Sequence, residues 1–474
     1  MPLRIAHLAS EVTPFSKTGG LADVVGALPS ALAELGHDVT VVAPGHRTGL
    51  KDPLPGEPQG EVSALGLTAR LHVLEHRGVH VVLLDCPALY VRPALYSLPD
   101  GEFPDNAVRF AFFARAALSA LARLGGARVV HCHDWQAALA PLLLRHDPEL
   151  ASALPGARTV LTVHNLAYQG VFPPWVLDAC ALPRALFTMA LLEFYGQVNF
   201  LKGGLVTSDA VTTVSPTYAK EILTPAFGCR LEGVLAERRE SVFGIVNGLD
   251  VDEWDPRRDA HLPQTFGPDG IDAGKRGARA VLAGEVGLAE SARPLLGMVS
   301  RLAEQKGADL LAATVDAIVA GGFDVAVLGT GERRYEDAMR AAQEAHPGRV
   351  AVQIRFDERL AHLIYAASDL FLMPSRYEPC GLGQMIAMRY GALPVVHRTG
   401  GLADTVVDVG ETGGTGFVMD ELTPAALLAT LTRAGALLRE PRRLAAARRL
   451  AMDRDFSWRA SALEYVKLYE RLLG

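Results

Sequence analysis

The sequence predicts an α/β protein made of two similar halves, each a parallel sheet covered by helices on both faces. Three observations carry this. Short apolar runs alternate with helix-period segments through the first half, the same alternation restarts in the second half, and one octet occurs in both. T-G-G-L-A-D-V-V (Thr18 to Val25) and T-G-G-L-A-D-T-V (Thr399 to Val406) agree at seven of eight positions. Parallel strands need helical crossovers, so repeated βα units imply buried parallel sheets of the doubly wound kind.

In chain order, the expected strands of the first half are Arg4 to Ala9, Val39 to Ala43, His80 to Leu84, Arg128 to Cys132, Thr159 to Val163 and Ala210 to Val214. Leu21, Val24, Val25, Leu28, Leu32 and Leu35 give the helical period that follows the first of them. The second half begins with Val242 to Val246 and continues with Pro294 to Val299, Asp324 to Leu328, Arg349 to Gln353, Asp369 to Met373 and Leu393 to Val396. Asn247-Gly248 and the polar, proline-containing stretch Asp250 to Pro268 read as a hinge and linker. The expected domains are 1–245 and 246–455, followed by a closing amphipathic helix within 456–474.

Composition narrows the classes. At 474 residues, with 49% hydrophobic and 21% charged residues, the chain suits more than one ordinary globular domain. A net charge of −7 argues against a general nucleic-acid surface. The five cysteines are far apart and form no Cys-x-x-Cys pair, which suits reduced thiols in the cytoplasm. The apolar run Ile5 to Ala9 is too short for a signal peptide or a membrane span, and no later run is long enough, so no membrane partner is expected.

Candidate chemistry gathers where strands end, because ligands of open α/β sheets bind beyond the strands' carboxyl ends. The stretch Pro374 to Val406 runs strand end, charged loop, short helix, strand and second glycine loop, and it places Glu378 for binding. Lys17-Thr18-Gly19-Gly20 follows the first strand. Its glycines let backbone amides approach an oxyanion and Lys17 adds a point charge, and Arg398 precedes the second octet in the same way. Arg301 and Lys306 flank a short loop after another strand, a fork and a point charge suited to a diphosphate. His131 and His133 alternate on one strand face beside Asp134 and Trp135. Metal ligation is one reading, but hydrogen bonding to hydroxyls by Asp134 is favoured, with His164-Asn165 at the same cleft edge. Asp250-Val251-Asp252 could be an Asp-x-Asp metal site, but it follows a turn signal and not a strand, so no metal is assigned. Neither G-x-G-x-x-G nor a P-loop is present, which disfavours hydride transfer, and no cofactor is expected.

Taken together these motifs resemble the bacterial glycogen synthase and plant starch synthase family, over nearly the whole chain. They include K-T-G-G-L-A-D (Lys17 to Asp23), H-D-W (His133 to Trp135), T-V-H-N-L-A-Y-Q-G (Thr162 to Gly170), V-S-P-T-Y-A-K-E-I (Val214 to Ile222), V-N-G-L-D (Val246 to Asp250), S-R-L-x-x-Q-K-G (Ser300 to Gly307) and P-S-R-Y-E-P-C-G-L (Pro374 to Leu382). The resemblance implies the GT-B fold, two Rossmann-like domains facing a cleft. It also implies retaining transfer of α-glucosyl from ADP-glucose to the non-reducing 4-hydroxyl of an α-1,4-glucan, without a required metal. On that resemblance Arg301 and Lys306 would hold the diphosphate, and Glu378 would contact the glucose or the ribose region. Lys17, Gly19 and Gly20 would reach the donor, while Asp134, His164 and Asn247 would bind sugar hydroxyls. Tyr96 would lie near sugar and adenine, and Gly400, Gly401 and Leu402 would present amides to phosphate. Cys380, Gly381, Leu382 and Thr399 complete the implied donor contacts. One departure is C-R-L-E-G (Cys229 to Gly233), where the family has Y-G-M-E-G. Rival readings are a GT-B transferase using UDP-glucose or another acceptor, and a catalytically silent sugar-nucleotide or glucan-binding protein.

Overall fold

In a computed structural model, residues 2–47, 54–98 and 101–474 are described, and they divide into two compact units. One comprises Met1–Gly248 with Trp458–Gly474, the other Leu249–Ser457.

The main sheet of the first unit has nine strands: β1 (Arg4–Leu8), β2 (Asp38–Pro44), β3 (Glu57–Ala64), β4 (Leu67–His76), β5 (Val79–Asp85), β6 (Val129–His133), β7 (Arg158–Val163), β8 (Ala210–Thr213) and β9 (Val242–Gly244). Their order is β9-β8-β7-β6-β1-β2-β5-β4-β3, parallel except for the antiparallel pairs β3–β4 and β4–β5. The β3–β4 hairpin is absent from the sequence reading. Glu57–Ala64 contains proline and glycine and is largely exposed, as an edge strand can be, so it carries no buried period to read. Val242–Gly244 requires a second correction: it pairs in parallel with β8, so it ends the first sheet and does not begin the second.

One face of this sheet buries Ile5, Val41, Val81, Val129 and Val160 beneath the helix Gly20–Glu34 and the closing helix Trp458–Leu473. The closing helix supplies Trp458, Ala462, Tyr465 and Tyr469, spaced by four, three and four residues. That spacing makes one apolar stripe aimed at the sheet.

The second unit holds six parallel strands: β10 (Leu295–Val299), β11 (Asp324–Leu328), β12 (Val350–Gln353), β13 (Leu370–Met373), β14 (Leu393–His397) and β15 (Phe417–Met419). Their order, β12-β11-β10-β13-β14-β15, reverses direction between β10 and β13. In the first sheet the corresponding reversal lies between β1 and β6. Such a switch point leaves a crevice at the strands' carboxyl ends, where neighbouring loops diverge to opposite faces.

The stretch read as a linker is built into the second unit. Trp254 stacks on His362 with ring centroids 3.9 Å apart, and buried Asp259 accepts hydrogen bonds from His362 Nδ1 (2.8 Å) and the Tyr390 hydroxyl (2.6 Å). Aromatic and paired polar groups therefore anchor what polarity and proline made look loose. Asp259→Ala should strand two buried partners and cost about 2–6 kcal/mol, at about 1–3 kcal/mol for each unsatisfied group. A lowered melting temperature in calorimetry, partly recovered by Asp259→Asn, is the expected result.

Candidate active site

At the switch point of the second sheet, the loop after β10 meets the loop after β13. Lys306 Nζ lies 2.5 Å from Glu378 Oε2, with the two side chains 19% and 7% exposed. Ser375 Oγ donates to the same carboxylate oxygen at 3.1 Å. The main chains are also tied, with the Arg376 amide donating to the Gln305 carbonyl at 2.8 Å. Arg376 binds Asp309 at 2.7 Å, which turns that cation away to a structural task. Arg301 is exposed, and its guanidinium donates to Gln305 Oε1 at 3.0 Å. The cluster therefore presents an open guanidinium beside a paired ammonium and carboxylate, an arrangement that can receive a phosphate and hydrogen-bond a sugar.

A third loop, after β14, closes on this pair. The Gly401 amide donates to the Glu378 carbonyl at 3.0 Å, and the Leu402 amide to Thr399 O at 3.1 Å. A Cβ at Gly400 would overlap the Glu378 carbonyl oxygen, and one at Gly401 would overlap that of Cys380. These glycines are needed so that two backbones can touch. The amides of Gly401 and Leu402, expected to face a phosphate, here pair with carbonyls of the protein itself. The helix that follows, Gly400–Thr405, has only six residues, and the Leu402 side chain is buried. Thr399 and Cys380 are buried as well, while Gly381 and Leu382 are half-buried. Gln384 Nε2 donates to the carbonyls of Cys380 (3.1 Å) and Gly381 (2.9 Å), fixing the turn that carries them.

In the first unit the switch point gathers the loop after β1 and the end of β6. Gly19 and Gly20 are exposed, with nothing among the described residues within 4 Å of a Cβ placed on them, and they enter the 15-residue helix Gly20–Glu34. Lys17 pairs with Asp23 at 2.7 Å on the surface. Sequence reasoning missed Glu11, which organises this loop. Buried at 3% exposure, it accepts from the Thr18 amide (2.5 Å), the Thr18 hydroxyl (2.7 Å) and the Tyr96 hydroxyl (2.5 Å). Its signal was a carboxylate directly after an apolar strand, where no core position calls for one. Tyr96 also lies 2.7 Å from Ser10 Oγ, so its hydroxyl is engaged in holding the loop.

Asp134 opens the segment after β6 with φ of +55°, a strained setting for a residue other than glycine. Its Oδ1 accepts the His164 amide at 2.7 Å. Burial pushes its carboxyl up to about 7, against the opposing pull of the His164 and Asn165 amides. His131 and His133 do share a face, with ring centroids 4.3 Å apart, and β1 adds His7, which sequence reasoning also missed. His133 connects to both His7 and His164 at 3.0 Å. Burial lowers His7 and His164 to about 3 and holds His131 and His133 well below the usual range, which favours the neutral form of each ring. Asn247 is buried, and among the described residues its Oδ1 has no hydrogen-bond partner.

The Asp-x-Asp pair performs a local task. Asp250 Oδ1 accepts the amides of Asp252 (2.9 Å) and Glu253 (3.1 Å), and Asp252 pairs with Arg258. All five cysteines are free thiols, and only Cys229 is exposed. Among the described residues, no helix is long and apolar enough to cross a membrane.

Residues 4–237 match the family model for the starch synthase catalytic domain, and residues 293–435 match that for glycosyl transferases group 1. The chain is 49% identical to a glycogen synthase of Anaeromyxobacter dehalogenans, covering 99% of this chain and 100% of that protein. It is 45% identical to the glycogen synthase of Syntrophotalea carbinolica, covering 99% of each. Among solved structures, it is similar to the catalytic domain of starch synthase IV from Arabidopsis thaliana bound to ADP and acarbose, with a TM-score of 0.90, 32% identity and full coverage of both chains. A sucrose-phosphate synthase from Thermosynechococcus elongatus shares the fold at a TM-score of 0.63 and 20% identity, covering 99% of this chain and 98% of that one. Two Rossmann-like units, together with kinship along the full length, lead to one conclusion: the chain belongs to the glycogen and starch synthase family, glycosyltransferases of the GT-B fold.

Proposed function

We propose that this enzyme transfers an α-glucosyl group from ADP-glucose to the non-reducing 4-hydroxyl of an α-1,4-glucan such as glycogen, with retention and release of ADP, in the cytoplasm. The observation that carries this reading is the Arg301, Lys306 and Glu378 cluster at the second switch point of a chain so closely related to glycogen synthases. ADP and acarbose, bound by the related starch synthase, are a nucleotide and a glucan-like sugar, which fits the donor and acceptor named here.

As the glycosidic bond breaks, negative charge grows on the β-phosphate and positive charge on the sugar carbon. Arg301 offers a planar fork to the phosphate. Lys306 has three donors, so it can keep one on Glu378 and turn another to the same anion. Glu378, held by Lys306 and Ser375, accepts from sugar hydroxyls and does not attack. Lys17 and the exposed amides of Gly19 and Gly20 supply further positive potential, and Asp134, His164 and Asn247 meet hydroxyls of the sugar. A double displacement would need a free carboxylate at the anomeric carbon. Because Glu378 and Asp134 are both engaged, front-face attack is favoured, with the leaving phosphate taking the acceptor's proton.

Labelled glucose should enter glycogen from ADP-glucose far faster than from UDP-glucose, and EDTA should leave the rate unchanged. No incorporation from either donor would overturn the proposal, and loss with EDTA would return Asp250 and Asp252 to consideration. Arg301→Ala and Lys306→Ala should each lower kcat by roughly 100-fold, the scale of one lost donor to a developing oxyanion. Turnover within about threefold of the parent would remove both from the phosphate site.

Asp134 also predicts a pH effect on stability. Its folded pKa lies above the unfolded value of 3.8, so ionisation opposes folding and stability falls as pH rises from 3.8 through about 7. Asn is uncharged, keeps an acceptor for the His164 amide and tolerates the left-handed backbone. Asp134→Asn should therefore melt higher than the parent at pH 8, with the advantage shrinking toward pH 5. An equal difference at both pH values would contradict this.

A further inference from the structure

His7, His131 and His133 are completely buried, and one nitrogen from each lies within 4.8 Å of the others. A metal is the obvious occupant, but the nitrogens are already committed. His131 spends Nδ1 on the Tyr469 hydroxyl (2.7 Å) and Nε2 on Thr162 Oγ1 (2.5 Å). His133 spends Nε2 on His7 Nδ1 and Nδ1 on His164 Nε2, each at 3.0 Å. Two full rings out of three cannot ligate a cation without breaking this network.

The row His7, His133, His164 has a direction. A neutral imidazole carries one N–H and one lone pair, so choosing the proton on one ring fixes it on the next two. At the buried end His7 Nε2 has no partner, and at the other end His164 Nδ1 makes no protein hydrogen bond among the described residues. If the protons pointed toward His7, a bare N–H would be left in the core at Nε2. If they point toward His164, only a lone pair is left there. A buried orphan N–H is the rarer and costlier of the two.

We infer that His7 and His133 are positioning residues, which lock His164 as its Nδ1–H tautomer so that its open edge donates a hydrogen bond and cannot accept a proton. His7 Nδ1–H donates to His133 Nε2, His133 Nδ1–H donates to His164 Nε2, and His164 Nδ1–H faces outward. The group it would meet is an oxygen acceptor such as a sugar hydroxyl, which rests on the placement of His164 proposed above.

Long-range 1H–15N correlation on the full-length protein, labelled with 15N-histidine, separates protonated from bare ring nitrogens without any substrate. His164, assigned by the signal lost in His164→Ala, should show a protonated Nδ1 and a bare Nε2. The opposite tautomer in the unsubstituted protein overturns the inference, whatever the variants do. His133→Phe fills the space without a donor, so His164 should lose its single tautomer. Its kcat should fall about tenfold or more at a KM for ADP-glucose within about twofold, since fixing an imidazole tautomer is worth at least that much where the ring acts on substrate. His133→Asn, whose amide N–H can stand where Nδ1–H stood, should restore both the tautomer and kcat. A His164 tautomer unmoved by His133→Phe would also overturn the row. A correct tautomer with kcat unaltered in both His133→Phe and His164→Ala would uphold the row and refute the sugar-facing role instead.

Discussion

The second unit's site depends on backbone touching backbone. The Gly401 amide reaches the Glu378 carbonyl at 3.0 Å, and neither Gly400 nor Gly401 has room for a Cβ. Gly307 repeats the device with φ of +72° against the Pro374 carbonyl. Through these contacts, loops from three neighbouring strands, β10, β13 and β14, are fixed relative to one another. The Lys306–Glu378 pair can then be both short and largely removed from water. Such a pair repays its desolvation only when its geometry is held and its spare lone pairs are met, and Ser375 helps to meet them. Any side chain at Gly401 would push apart the loops that deliver the two charges.

The first unit meets the same demand with side chains. Glu11 gathers the Thr18 amide, the Thr18 hydroxyl and the Tyr96 hydroxyl on one buried carboxylate, so the loop is anchored from beneath while Gly19 and Gly20 stay exposed. Below it a polar seam crosses strands β1, β6, β7 and β8 through His7, His133, Thr162 and Thr212. Thr162 and Thr212 lie 2.5 Å apart, oxygen to oxygen. The closing helix reaches this seam where Tyr469 meets His131, and Ser461 donates to the Val246 carbonyl at 2.7 Å. The last residues of the chain thus take part in ordering the sheet end that carries Asp134 and His164.

Much of this was legible. Parallel strands buried on both faces are continuous apolar runs, so the strands of both switch points were visible in the sequence, as were the loops that leave them. Arg301, Lys306 and Glu378 could be picked out because charges at strand ends have no packing reason to be there. The misses share a cause. Glu57–Ala64 is an exposed edge, and Asp250 to Pro268 is held by ring stacking and a buried Asp–His–Tyr contact, neither of which leaves a periodic trace. His7 and Glu11 depend on partners more than eighty residues away in the chain or on a loop that folds back, so local pattern could not single them out.

The repeated octet shows where sequence similarity stops informing role. Seven shared positions open a 15-residue helix at Gly20 and a six-residue helix at Gly400. Leu21 is half-buried and its counterpart Leu402 fully so, while Gly19 and Gly20 are exposed and Gly400 and Gly401 are enclosed. The difference lies in what each loop runs against. Among the described residues, no atom lies within 4 Å of a Cβ placed on either glycine of the first pair, whereas the Glu378–Cys380 main chain lies directly on the second. An amide already donating to a carbonyl has less to offer a second acceptor. At the second octet, therefore, the charges offered to solvent come from side chains on the neighbouring loops, Arg301 and Lys306. The glycines there serve as the spacing that lets Lys306 and Glu378 meet.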